Sequence, residues 1–257
     1  MSTIKKSIFI AILPIFLIAN SPLDEDIKKC ESGDKVSCMK SGLAYEEQND
    51  IQKALKFYES ACKKGEKLGC FKCGEIYYSG KGVGIDYEKS AKYFESACES
   101  GLPQGCYISG VLYEDDSKKI FDVKRSIKLY KKACDASLAP GCGRIGNIYY
   151  RGFGVPRDIQ KAKDFFQKGC KGEDLNSCLM LGNIYLGRSG IKGNISKALK
   201  FFDFACSRGE GVACMQLGTM YLKGDGVQSD GKKAKDYFQK SCKTGFSLGC
   251  EALETIK

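Results

Sequence analysis

Apolar residues recur at helical spacing in short segments that alternate along the chain. In the first segment of one such pair, Ile145, Ile148 and Tyr149 share one face, and Arg144 and Asn147 lie on the opposite face. Apolar residues three and four positions apart are typical of an amphipathic α-helix. The pattern therefore predicts a helix here, which we call helix A of its repeat.

A second helical segment follows after a turn. Residues 151–158 contain two glycines and a proline, which end a helix and redirect the chain. Residues 159–169 then restore the helical period, with Ala162, Phe165 and Phe166 on the apolar face. We predict that this segment forms helix B, antiparallel to helix A.

The cysteines indicate that this hairpin is one unit of a repeat. Fourteen of the fifteen cysteines form pairs whose members are separated by seven residues. The first members recur every 36 residues from Cys62 onward, and the first interval, from Cys30 to Cys62, is shorter at 32. Such a period is typical of stacked units that complete each other's core, so we predict an all-α, α/α superhelical solenoid. The pairs are Cys30 and Cys38, Cys62 and Cys70, Cys98 and Cys106, Cys134 and Cys142, Cys170 and Cys178, Cys206 and Cys214, and Cys242 and Cys250.

Two further positions repeat with the cysteines. A glycine stands four residues, and a tyrosine seven residues, after the second cysteine of six pairs. Glycine inside a helix costs about 1 kcal/mol relative to alanine, so we expect these glycines to admit a neighbouring helix at close range. The glycines are Gly42, Gly74, Gly110, Gly146, Gly182 and Gly218, and the tyrosines are Tyr45, Tyr77, Tyr113, Tyr149, Tyr185 and Tyr221.

Two disulfide patterns fit a hairpin whose helix A begins, and helix B ends, at the same edge. One pattern joins cysteines within each hairpin, such as Cys38 with Cys62. That pattern leaves Cys30 and Cys250 without partners, whereas bridges across the seven-residue spacers use all fourteen cysteines. We therefore predict seven local bridges, each joining the end of one helix B to the start of the next helix A.

The fifteenth cysteine, Cys73, follows Cys70 in a CxxC arrangement, which also occurs in redox motifs. The equivalent position in four other units is apolar, and a free cysteine behaves as a small buried hydrophobe. We therefore expect a free thiol in the core, with a reactive or intermolecular thiol as the alternative. The equivalent residues are Ile145, Leu181, Leu217 and Leu253.

The N-terminus has the layout of a secretory signal peptide. Lys5 and Lys6 precede an apolar run over residues 7–19, and small and turn residues follow. An uncleaved anchor is the alternative, although the run is shorter than the roughly 20 residues of a membrane span. Export agrees with paired cysteines, since disulfides persist in oxidising compartments. We therefore expect a secreted or periplasmic protein with no membrane span after cleavage.

These patterns predict four parts. Residues 1–21 are the signal peptide, 22–37 an N-terminal capping half-repeat, 38–249 six α/α hairpin repeats, and 250–257 a C-terminal cap. The formal charge of +10 falls to +8 when Lys5 and Lys6 are removed with the signal peptide. The lysines are spread over every unit, so we interpret the charge as a solvated surface and predict no nucleic-acid partner.

Several motifs resemble those of a known family. Residues 181–185 (LGNIY) and 217–221 (LGTMY) match the LGxxY motif of tetratricopeptide repeats, and Ala162 with Phe166 match the AxxxF motif. The 36-residue period and turns such as residues 152–155 (GFGV) are closer to the Sel-one-like variant. With the signal segment and the cysteine spacer, residues 23–257 resemble the Helicobacter cysteine-rich protein family.

The resemblance implies an α/α superhelix that is secreted and binds a protein or peptide along a concave helix A surface. The partner would be a host or cell-envelope component. Some members of that family are described as penicillin-binding proteins with weak β-lactamase activity. This second implication makes a β-lactam or a peptidoglycan-like molecule the alternative ligand, but it identifies no catalytic residue in this chain.

The residues favour an interaction module over an enzyme. The chain has no histidine, and disulfides would use fourteen cysteines, so we predict no metal site and no cofactor. A penicillin-reactive serine needs SxxK, SDN and KTG in one pocket. Residues 37–40 and 60–63 match SxxK and 243–245 match KTG, but SDN is absent and the matches lie about five repeats apart.

The helical period also predicts a binding surface. The residues two and five positions after the second cysteine of a pair lie opposite the glycine and tyrosine face of helix A. Cations and amides at these positions would grip the backbone or carboxylate of an extended peptide, and a merely solvated face is the alternative. The candidate ligand-binding residues are Lys72, Arg144, Asn147, Asn183 and Gln216.

Overall fold

The computed structural model describes residues 21–187, 190 and 192–256, so the predicted signal peptide lies outside the described residues except for Ser21. The described residues form fourteen α-helices and no strand, and each helix packs mainly on those before and after it. The predicted all-α solenoid is therefore confirmed.

Helices of the two predicted kinds alternate along the chain. The B helices are α1 (Pro22–Glu31), α3 (Ile51–Lys63), α5 (Tyr87–Glu99), α7 (Val123–Asp135), α9 (Ile159–Lys171), α11 (Ile195–Ser207) and α13 (Gly231–Lys243). The A helices are α2 (Lys35–Glu47), α4 (Lys67–Ser79), α6 (Pro103–Glu114), α8 (Ala139–Arg151), α10 (Leu175–Tyr185), α12 (Gly211–Lys223) and α14 (Ser247–Thr255).

A side-chain cap fixes the start of each B helix from α3 to α13. The carboxylate of Asp158 accepts a hydrogen bond from the amide of Lys161 at 2.9 Å and so satisfies one free N–H of the first turn. The amide of Asp158 donates to the carbonyl of Tyr149 at the end of α8, also at 2.9 Å. The cap thereby ties helix B to helix A of its own hairpin. The capping residues are Asp50, Asp86, Asp122, Asp158, Asn194 and Asp230.

The repeated tyrosine of helix A stacks on an aromatic ring of helix B. Tyr149 and Phe165 lie 6.2 Å apart with their planes 10° from parallel, and the Lys161 ammonium lies 5.3 Å from the Tyr149 centroid. Such stacks and cation–π contacts each contribute about 1 kcal/mol. The hairpin of α6 and α7 differs because Leu129 replaces the ring, and there the Arg125 guanidinium covers Tyr113 at 4.6 Å.

Seven disulfides join consecutive hairpins. Each bridge links the two cysteines on either side of one seven-residue spacer, and the two Cα atoms lie 4.5 to 4.9 Å apart. The bridge therefore connects the last turn of a B helix to the first turn of the following A helix. This many disulfides is typical of proteins from oxidising environments outside the cytoplasm.

Cys73 lies inside the array as a free thiol. Its side chain is fully buried among Ile51, Leu55, Tyr58 and Ile76. Burial, and then the negative charge of Glu59, raises the pKa of the Cys73 thiol well above its usual range. A buried thiol with a raised pKa is a poor nucleophile because the thiolate is the reactive form.

We expect non-reducing peptide mapping to return seven local bridges and one thiol, at Cys73. A thiol reagent such as dithionitrobenzoate should react with the native protein far more slowly than with the denatured protein, which exposes the same thiol. Detection of a Cys38 to Cys62 or a Cys70 to Cys98 bridge, or fast labelling of the native chain, would contradict this arrangement.

Candidate binding site on the A helices

The five predicted binding residues lie on four A helices and are all partly buried. Arg144 and Asn147 lie in α8 and line one pocket, while Lys72 lies in α4. Asn183 in α10 occupies the repeat position of Asn147, and Gln216 in α12 occupies that of Arg144. We call the surface formed by positions two, five, eight and nine after the second cysteine of each pair the A-helix face.

The pocket lies where the end of α6 meets the second half of α8 and has a volume of about 300 Å³. A pocket of this volume has room for about one side chain of a ligand. Its walls combine apolar side chains with charged groups. Its lining residues are Val111, Glu114, Asp115, Arg144, Asn147, Ile148, Arg151 and Phe153.

Arg144 is held in place by the preceding A helix. Its Nε donates to the Tyr107 hydroxyl at 3.2 Å, and its guanidinium lies 3.6 Å from the Glu114 carboxylate. Burial lowers the pKa of Arg144, but the hydrogen bond to Tyr107 and the nearby Glu114 raise it more, so the pKa lies above its usual value. Arg144 thus remains charged and already has internal partners.

Glu114 is also bound by a buried tyrosine of helix α7. The Tyr130 hydroxyl donates to the Glu114 carboxylate at 2.5 Å, and the Tyr130 side chain is fully buried. Burial, and then this hydrogen bond, raises the pKa of the Tyr130 hydroxyl, so it remains a donor. Tyr130, Glu114 and Arg144 therefore form one connected polar group.

The same group recurs once more in the array. The Tyr58 hydroxyl donates to Glu46 at 2.5 Å, and the Lys72 ammonium lies 3.3 Å from the same carboxylate. Partial burial raises the pKa of Glu46, but the hydrogen bond from Tyr58 and the charge of Lys72 lower it more, so the net pKa lies below its usual value. Lys72, like Arg144, compensates a buried carboxylate.

The remaining four hairpins lack all three members of this group. Phenylalanine replaces the buried tyrosine, and no glutamate stands eight residues after the cysteine. The buried tyrosine and the glutamate thus occur together or not at all. This correlation is visible in the sequence, but the sequence analysis did not identify it. The replacing residues are Phe94 with Tyr78, Phe166 with Tyr150, Phe202 with Leu186, and Phe238 with Leu222.

Asn147 and Arg151 are the polar groups of the pocket that remain available. Among the described residues, no carboxylate lies within ion-pair distance of Arg151, and the Asn147 amide makes no side-chain hydrogen bond. Asp115 is engaged, because Lys118 and Ser117 bind its carboxylate and lower its pKa to about 2. The pocket therefore offers one unpaired guanidinium and one amide beside the ring of Phe153.

The matches to penicillin-reactive motifs are not brought together. Ser37 lies in α2, where its buried hydroxyl donates to Asp26 at 3.0 Å, and Ser60 lies in α3. The KTG sequence begins at Lys243, the last residue of α13, and nine helices lie between α3 and α13 along the array. No helix of the described residues is long and apolar enough to span a membrane.

The sequence matches a known repeat family, and the matched segments coincide with the repeats of the structure. A family model described as Sel1 repeat matches six consecutive segments of the chain, which confirms the Sel1-like recognition made from its motifs. No curated protein matches the sequence. The matched segments are residues 37–66, 67–102, 103–138, 139–174, 175–210 and 211–246.

Solved structures give matches of the same kind. A protective antigen of uropathogenic Escherichia coli with an SLR fold is 26% identical, with a TM-score of 0.76 over 91% of this chain and 51% of that chain. The chain thus spans about half the length of that antigen. A Sel1 repeat protein from Oxalobacter formigenes is 26% identical, with a TM-score of 0.64 over 86% of this chain and 99% of that chain. Helicobacter pylori cysteine-rich protein B is 24% identical, with a TM-score of 0.32 over 66% of this chain and 96% of that chain.

Proposed function

This chain belongs to the Sel1 repeat family, and we propose that it binds an extended segment of another protein along its A-helix face. Solenoid repeats bury their apolar faces against neighbouring units, and their curvature gives an extended concave surface that commonly binds other proteins. The observation that supports this proposal most directly is the pocket between α6 and α8, where, among the described residues, the Asn147 amide makes no side-chain hydrogen bond and Arg151 makes no ion pair.

The chemistry of this pocket suits one residue of a peptide and its backbone. The Arg151 guanidinium would bind a carboxylate or a backbone carbonyl, and the Asn147 amide would bind the peptide backbone. Val111, Ile148 and Phe153 would contact an apolar side chain of the peptide. Asn183 and Gln216, two further amides of the A-helix face, would continue the contact along α10 and α12.

We place this function outside the cytoplasm, on a partner from the host or the cell envelope. Seven disulfides require an oxidising compartment, and the apolar run at residues 7–19 would direct export. N-terminal sequencing of the exported protein tests the location, because a mature chain that begins at Met1 would contradict removal of residues 1–21.

We expect Asn147→Ala and Arg151→Ala together to weaken peptide binding by at least about tenfold, the effect of losing one charge-assisted and one neutral hydrogen bond. The probe is a linear peptide selected from a displayed random library on the oxidised protein and then synthesised. Its Kd is measured by fluorescence anisotropy. The melting temperature should stay within about 2 °C, because neither side chain makes a side-chain hydrogen bond or an ion pair within the described part of the chain.

Lys124→Ala is the matched control, since Lys124 is an exposed cation of the B helix α7. This variant should bind the selected peptide with unaltered affinity. If no peptide is selected, or if the peptides obtained bind the double variant as tightly as the native chain, the A-helix face is not the binding surface.

A further inference from the structure

A second concave region lies between two B helices. The groove between α9 and α11 has a volume of about 820 Å³, which is within the range of sites for small organic ligands. Aromatic rings form its walls, and lysines stand around its rim. The lining residues are Gln167, Cys170, Lys171, Glu173, Tyr185, Lys197, Lys200, Phe201 and Phe204.

Phe204 gives this groove a wall that the other repeats lack. It stands two residues before the first cysteine of its pair and is half-buried, where it packs on the core and lines the groove. The Arg208 guanidinium lies 5.2 Å from the centroid of its ring. In the other repeats this position carries a hydroxyl or an ammonium group. The equivalent residues are Ser60, Ser96, Lys132, Lys168 and Lys240.

No polar bridge joins α9 and α11 along the length of the groove, and the ion pair of Arg208 with Glu173 joins only the ends of the two helices. At the next junction of B helices, between α11 and α13, the Tyr237 hydroxyl donates to Asp203 at 3.1 Å. The equivalent pair between α9 and α11 is Phe201 and Gln167, which form no hydrogen bond. The surface is therefore bridged at the next junction but not along this groove, which fits a compact ligand better than a long chain.

Two of the other junctions between B helices are bridged as well. Between α3 and α5 the Tyr93 hydroxyl donates to Glu59 at 2.8 Å. Between α5 and α7 the Arg125 guanidinium binds Glu95 through two hydrogen bonds of 2.6 and 2.7 Å. The equivalent pair between α7 and α9 is Phe165 and Lys131, which form no bridge, and there Lys168 of the same helix α9 lies over the Phe165 ring at 5.5 Å.

The rim carries positive charge without a compensating carboxylate. In four other repeats the lysine at the position of Lys197 lies 2.9 to 3.8 Å from the capping aspartate of its own helix. Asn194 replaces that aspartate in α11, so Lys197 has no carboxylate within ion-pair distance among the described residues. Lys171 and Lys200 have none either, and Arg208 holds the rim residue Glu173 at 2.9 Å.

From these observations we propose that the groove between α9 and α11 binds a compact amphipathic carboxylate. The apolar body of the ligand lies between Phe201 and Phe204, where it buries its surface and theirs. Its carboxylate lies between the ammonium groups of Lys197 and Lys200, which stand one helical turn apart. This site is on the B helices and is independent of the A-helix face.

The test uses 1-naphthoate as the probe and naphthalene-1-methanol as its neutral analogue. Calorimetry should show saturable binding of one naphthoate per chain, weaker at high salt because exposed charges are screened. The neutral analogue should bind at least about tenfold more weakly, since it lacks the charge that the lysines pair with. Absence of naphthoate binding, or equal binding of the two compounds, would overturn the proposal.

Two variants locate the ligand in this groove. Phe204→Ser introduces the residue found in two other repeats and should weaken naphthoate binding about tenfold through the lost apolar contact. Asn194→Asp keeps a good helix cap and restores the carboxylate beside Lys197, so it should weaken binding about threefold or more while the helix stays intact.

Lys161→Gln is the matched control, because Lys161 occupies the position of Lys197 in the preceding repeat and is paired with Asp158. It should leave naphthoate binding unaltered. Unchanged affinity in Phe204→Ser and Asn194→Asp would remove the site from this groove. Selective binding of the acidic peptide acetyl-EEFEE-amide, without binding of naphthoate, would also overturn the proposed ligand class.

Discussion

Complete reduction of the protein is expected to lower its melting temperature by at least about 20 °C. Each bridge closes a loop between cysteines eight positions apart, and loop-entropy estimates give about 2 to 3 kcal/mol for a ring of that size. Seven such contributions exceed the total stability of about 5 to 15 kcal/mol that is usual for a folded domain. An array whose units contact mainly their neighbours has no single large core to offset that loss.

Circular dichroism at 222 nm, recorded during heating with and without a phosphine reductant, measures this effect. Mass spectrometry after alkylation should count fifteen thiols in the reduced chain. The part that stays folded should remain helical. Alkylation of Cys73 alone in the unfolded, oxidised chain followed by refolding controls for the free thiol. A melting temperature that is unaltered by full reduction, or a spectrum with strand character, would refute the stabilising role of the bridges.

Replacing Gly146 with alanine is expected to destabilise the protein by about 2 kcal/mol, although alanine favours helices. A Cβ atom at this position would lie 2.6 Å from two ring carbons of Phe166, and that ring is fully buried. Carbon atoms pack at about 3.5 to 4.0 Å, so the ring or the helix must move. Overpacking of a core costs about 1 to 3 kcal/mol or more, which outweighs the gain of about 1 kcal/mol in helix propensity.

Urea unfolding of the oxidised protein measures this change. Gly231→Ala is the matched control, because Gly231 is the first residue of α13 and a Cβ atom added there would have no other atom within 4 Å. That variant should be neutral or slightly more stable. Combining Gly146→Ala with Phe166→Leu should cost less than the sum of the two single changes, since a smaller side chain relieves the contact. Strict additivity of the two changes would show that the ring is not what the added methyl group meets.

The sequence by itself determined the repeat, its two helices and the class of the fold. The spacing of the cysteines set the period, and the apolar positions around Ile145, Phe165 and Phe166 identified the helices because burial on one face requires that periodicity. Gly146 was predicted to admit a close neighbour, and the structure identifies that neighbour as the ring of Phe166 in the same hairpin. These features are local, so they recur in each unit and can be compared within one chain.

Only the tertiary structure decided which polar residues remain free to bind a ligand. Helical periodicity placed Lys72 and Arg144 on the A-helix face. It gave no information about the carboxylates that each of them contacts on the preceding A helix. Those carboxylates stand about 30 positions away along the chain. A contact between residues so far apart cannot be assigned from the spacing along one helix. For the same reason Arg151, which has no carboxylate within ion-pair distance in the described part of the chain, was not among the predicted residues. The groove beside Phe204 likewise depends on two B helices from different repeats. The pattern along the chain fixes which face a residue occupies, whereas the packing of neighbouring repeats fixes whether its charge is already compensated.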